Sequence, residues 1–88
     1  MKFRKKPVVI EAWQWMGETL SDAHKFVEEN SLPLTPCIGR HEGMTGFIIP
    51  TLEGSHVATK SDWIIKGVAG EFYPCKNDIF LKTYEAAE

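Results

Sequence analysis

Surplus positive charge is missing from this chain: 10 Lys and Arg stand against 12 Asp and Glu, a formal net charge of −2. A general nucleic-acid binder needs an excess of cations to displace counterions, so that class is excluded. The one basic run, Lys2, Arg4, Lys5 and Lys6, reads as a solvated tip, with an anion-binding arm as the sharper alternative. Cysteine is scarce. The two thiols, Cys37 and Cys75, form no closely spaced pair of the zinc-finger kind. Cys37, His41 and Cys75, with His24 or His56 as a fourth, make the best ligand set on offer, and the favoured reading is that they hold no metal. No apolar run approaches the ~20 residues of a membrane span. Pro7-Val8-Val9-Ile10 gives way to Glu11, too soon for the apolar centre of a signal peptide. A soluble cytoplasmic protein with two reduced, unpaired thiols is expected. Phosphate-cradling glycine loops, internal repeats and low-complexity tracts are also missing.

What is present fits one domain over residues 1–88. Val8 to Trp15 is rich in β-branched and aromatic residues and reads as a strand. Alternation sets Val9, Glu11, Trp13 and Trp15 on one face and Val8, Ile10, Ala12 and Gln14 on the other. Neither face is polar throughout, so a central or doubly covered strand is expected. Leu20 to Glu29 carries an apolar stripe of Leu20, Ala23, Phe26 and Val27, the spacing of an amphipathic helix. Thr19 or Ser21 can cap it, Asp22 suits its positive end, and Asn30 is a left-handed stop. Residues 31–46 hold two prolines and three glycines and fit a loop or irregular hairpin. Short strands follow at 46–51, 56–59, 63–66 and 71–73, with Gly54 free to turn the first pair at positive φ. Asn77 or Asp78 should cap a final short helix with Ile79, Phe80, Thr83 and Tyr84 as its stripe. The fold class is α+β: a small antiparallel sheet of four to five strands, one amphipathic helix after strand 1 and a short C-terminal helix.

Three chemistries can be weighed on these residues. Cys75, beside Lys76 and ahead of a helix, has the setting of an activated nucleophile, but a buried small residue is the favoured reading. Glu11, Glu53, Asp62, Glu71 and Asp78 can meet in space as a carboxylate pair, although no shared helix face brings two together. Asp62 is most simply a turn residue bonded to nearby backbone. The aromatics say more. Three tryptophans in 88 residues belong first to a core. Phe72 and Tyr73 are adjacent, however, so they point to opposite faces, and some aromatic surface should be left for a ligand or a second subunit. The candidate ligand-binding residues are Trp13, Trp15, Arg40, His56, Trp63, Lys66 and Tyr73, an aromatic surface with cations beside it on which a nucleobase can stack. No catalytic residue, metal or cofactor is assigned.

Lys5-Lys6-Pro7-Val8-Val9-Ile10-Glu11-Ala12, followed by Gln14-Trp15, resembles the opening of a widespread group of small phage and prophage proteins. The later blocks resemble the same group's close: Thr51-Leu52-Glu53-Gly54, then Asp62 to Val68, Gly70 to Lys76, Asp78-Ile79-Phe80 and Thr83-Tyr84-Glu85. The chain departs from the group's pattern at two turns, with Lys60-Ser61-Asp62 for Pro-Gly-Asp and Lys76-Asn77-Asp78 for Lys-Pro-Asp. Both changes should alter turn stiffness more than chemistry. The resemblance implies phage origin and a compact fold and assigns no activity. The expected function is that of a phage accessory protein that binds a host protein or a small nucleotide-like ligand, possible use against host defence included. A small enzyme built on Cys75 or a carboxylate pair and a virion structural or assembly protein are the alternatives. A homodimer or higher oligomer is expected, through a patch drawn from Trp13, Trp15, Trp63 and Tyr73 with Lys66 or Glu71 at its rim.

Overall fold

The computed structural model describes residues 1–3, 9–38 and 45–85. The fold is α+β, with six strands in two antiparallel three-stranded sheets in place of the single meander expected from sequence. One sheet runs β1 (Glu11–Gln14), β5 (Trp63–Lys66) and β6 (Phe72–Cys75), in that spatial order. The other runs β2 (Thr35–Ile38), β3 (Thr45–Thr51) and β4 (Gly54–Ala58). Two features account for the difference. β2 carries Pro36 and reads as loop, yet it is an edge strand, where a missing N–H costs no ladder bond. After β4 the chain turns at Lys60-Ser61, and β5 then pairs with β1 instead of β4. Thus β1 is an edge strand and not a central one.

The turn between the sheets is tied to β1. Asp62 N–H donates to the Thr59 carbonyl at 2.9 Å, and Ser61 takes φ 74°. A positive φ at the third position is the mark of a type II turn, which favours Pro-Gly at its centre. Here Lys60-Ser61 holds the same shape. The Asp62 carboxylate, buried at 4% exposure, accepts from the Thr59 N–H at 3.0 Å and is reached by Lys76 Nζ at 3.4 Å. Trp15 completes the junction: its N–H donates to the Asp62 carbonyl and its carbonyl accepts from Ser61 N–H.

Helix α1 (Leu20–Glu29) begins on a capping box, with Thr19 as N-cap and Asp22 returning the bond. The Glu18 and Thr19 N–H groups both donate to the Asp22 carboxylate and hold it below its ordinary pKa. The helix ends differently from expectation. Asn30 stays at φ −102° and its side-chain amide donates to the Phe26 carbonyl, while Ser31 takes the left-handed conformation at φ 53°. Ala23 is buried and Phe26 and Val27 are half-buried, whereas Leu20, counted in the same stripe, faces solvent.

Register explains the two faces of the first sheet. Trp13, Ile64 and Pro74 stand in one row and Lys66 and Phe72 in another, both on one face. From that face Trp13, Ile64 and Phe72 enter or pack on the central core. The core's centre is an aromatic triangle of Trp15, Phe26 and Phe47, with ring centroids 4.9 to 5.5 Å apart. Trp15 Nε1 donates to the Thr45 carbonyl at 3.1 Å, so the buried indole is satisfied. The opposite face carries Trp63, Ile65 and Tyr73, and helix α2 (Asn77–Thr83) covers it. Phe80 stacks on Trp63 at 3.9 Å and touches Tyr84, while Asn77 Oδ1 accepts from Trp63 Nε1 and Gln14 Nε2. Asn77 therefore fastens the helix to the sheet and does not cap it; the N-cap, Lys76, makes no side-chain capping bond, its ammonium reaching Asp62 instead. Ile79 and Thr83, expected in the apolar stripe, are exposed. Among the described residues no helix is long and apolar enough to cross a membrane.

Candidate functional site

The β3–β4 hairpin and β6 enclose a cleft of about 360 Å³, lined by Thr51, Leu52, Glu53, His56, Glu71, Phe72, Tyr73 and Pro74. One wall is the hairpin. Its two-residue loop, Leu52-Glu53, is closed by the Thr51–Gly54 pair, and Gly54 takes φ 113°, a backbone that favours glycine. Thr51 Oγ1 donates to the Gly54 carbonyl at 2.6 Å and accepts from Glu53 N–H at 3.2 Å. That fixes the loop which presents Leu52, fully exposed, and Glu53. His56 lies opposite Ile49 in the ladder, on the same face of β4 as the core residue Ala58.

The other wall is β6. Phe72 and Pro74 share the core-side face, and Phe72 rests against Trp13 at 6.4 Å. Glu71 precedes the strand and folds back over Gly67. A Cβ on Gly67 would meet Glu71 Oε1, so a larger residue there would push this exposed carboxylate aside. The Gly67 N–H also donates to the Glu71 carbonyl at 2.7 Å, which closes this turn. Tyr73 belongs to the lining, but it pairs with Ile65 on the face that α2 covers. The neighbouring Tyr84 hydroxyl pushes the Tyr73 pKa up to about 12, with burial adding to the effect.

Of the seven residues expected to bind ligand, the structure brings His56 and Tyr73 to the cleft. Trp13 stands behind it, packed on Phe72. Trp15 is core at 2% exposure, and Trp63 lies under Phe80 with its N–H bound to Asn77, so neither offers a stacking surface. The same burial takes Trp15 out of the expected subunit patch, whereas Trp63 is half-buried beneath Phe80. Lys66 is exposed outside the lining, and Arg40 lies outside the described residues, as does His41. The lining residues that periodicity could not single out are Thr51, Leu52, Glu53, Phe72 and Pro74. Glu53 and Glu71, two of the carboxylates able to meet in space, do reach one cleft.

Cys37 and Cys75 are both free and half-buried. Burial raises the pKa of each thiol, and for Cys75 the charges of Asp62 and Asp78 raise it further. Cys75 Sγ donates to the Lys76 carbonyl at 3.6 Å. Among the described residues no three His, Cys, Asp or Glu gather as metal ligands. Comparison with protein-family models, curated proteins and solved structures finds no match to this chain.

Proposed function

We propose that this chain is a phage or prophage accessory protein that works in the cytoplasm by binding, through the cleft between the β3–β4 hairpin and β6. The observation that carries this reading is the cleft itself. It is concave and largely apolar, with a few polar groups at its margin, and it lies between two sheets, as ligand sites commonly do. The stretches that carry the phage resemblance, Thr51 to Gly54 and Gly70 to Lys76, supply most of its two walls. Binding is preferred to catalysis because the Cys75 thiol is shifted away from the thiolate that a nucleophile requires. The occupant is a host protein or a small ligand. Glu53 and Glu71 weigh against the phosphates of a nucleotide.

The test is native mass spectrometry of the protein recovered from bacterial cells, wild type beside His56→Trp. His56 is exposed on an edge strand, so the indole fills the cleft without entering the core. A retained species on the wild type that is missing from the variant is the expected result. A bare wild-type chain, or the same species on both proteins, overturns the reading.

Self-association is the second part of the proposal. The outer face of the β2-β3-β4 sheet places Ile48 beside Val57, at 38% and 48% exposure, and nothing in the described chain packs across them. A two-fold dimer through this face needs one self-complementary patch.

A further inference from the structure

We infer that the cleft accepts an organic cation with an apolar body, the chemistry shared by an arginine side chain and a free guanidino-amine. This rests on reading the cleft as the binding site and narrows what it takes. Two carboxylates stand on opposite walls, Glu53 on the hairpin loop and Glu71 ahead of β6. The lining holds no Lys or Arg, and among the described residues neither glutamate forms a salt bridge. The same lining offers Leu52, Phe72 and Pro74, which suit an aliphatic stem or a flat delocalised cation and not a hydrated anion. The Gly67–Glu71 turn fixes the backbone that carries one glutamate, and the Thr51 bonds fix the backbone that carries the other, so both stand on ordered supports before a ligand arrives. A guanidinium fits this arrangement better than an ammonium, because its planar fork bonds carboxylates in pairs and lies flat on an aromatic ring.

The experiment is a backbone-amide NMR titration of the full chain with three probes: agmatine, acetyl-arginine amide and adenosine monophosphate. The two guanidinium probes should shift the Leu52, His56, Glu71 and Tyr73 amides to saturation, and the nucleotide should not. The tighter of the two distinguishes a free amine from a protein side chain as the source. Both glutamates are exposed, so Glu53→Gln with Glu71→Gln leaves the core intact, and it should weaken the guanidinium probes about tenfold. Equal binding to the double variant overturns the inference. So does a nucleotide that saturates these amides while the cations do not, although the cleft then stands as a binding site. If no probe shifts these amides the charge assignment falls, and the mass-spectrometry comparison decides the wider reading separately.

Discussion

Ser61 and Asp62 decide how one sheet hands the chain to the other. A non-glycine residue at φ 74° carries a backbone penalty that glycine does not, offset in part by glycine's greater freedom when unfolded. Ser61→Gly should therefore stabilise the fold by about 0.5–1 kcal/mol, measured as a higher urea midpoint at unchanged slope. An unchanged or lower midpoint contradicts the strain assigned to this turn. Asp62 works in the opposite direction. Its carboxylate satisfies the Thr59 N–H in a buried place and meets Lys76, so Asp62→Ala should cost about 1.5–3 kcal/mol. Loss of under ~0.5 kcal/mol, the surface range, would reduce it to an ordinary exposed turn residue. Tyr73 gives a pH signature. Its folded pKa of about 12 lies above the ordinary tyrosine value of about 10, so the folded chain keeps a proton that the unfolded chain releases. The resulting stability is complete below pH ~10 and is lost as the pH rises towards 12. Ultraviolet titration should show one tyrosine ionising late, and Tyr84→Phe should bring it down. A late tyrosine that survives in Tyr84→Phe would show that the Tyr84 hydroxyl is not the cause.

At the scale of elements, helix α2 is what makes the first sheet two-sided. Phe80 stacked on Trp63 and Asn77 bonded to Trp63 and Gln14 hold it down. Phe80→Ala should cost about 1.5–3 kcal/mol, since a half-buried aromatic and its stacking partner are both exposed to water. Trp63 fluorescence should shift to the red in the still-folded protein, and an unshifted spectrum would contradict the latch. Legibility in the sequence followed local signal. Helix α1 and strands β3 to β6 are marked by periodicity and by Gly54, and their positions agree with expectation to within a residue or two. Strand β2 was not legible, because Pro36 silences the local signal and only pairing to β3 makes Thr35 to Ile38 a strand. The cap of α2 differs from expectation for a related reason: Asn77 has one indole and one amide donor within reach only once the sheet is assembled. The site was legible in its chemistry but not in its membership. His56 and Tyr73 stood out as types, whereas Glu53 and Glu71 lie 18 positions apart (71 minus 53) and meet only because β6 packs beside the hairpin.

For the whole molecule, Trp15 is buried and Trp63 is covered on one side by Phe80, so the proposed subunit contact is placed on the exposed Ile48 and Val57. Sedimentation velocity at micromolar concentration should show a dimer that Val57→Lys converts to a single species near 10.0 kDa. A wild-type monomer of that mass contradicts self-association and leaves the cleft unaffected, since its residues His56 and Glu71 do not share the face of Ile48 and Val57. The cleft is the central claim, and amide hydrogen exchange on the protein with its retained partner, against the stripped chain, tests it most directly. The account predicts slower exchange over residues 51–56 and 71–73, with β2 and α2 unchanged. Protection confined to Ile48 and Val57, or to Ile79 and Leu81 on the open side of α2, would contradict it.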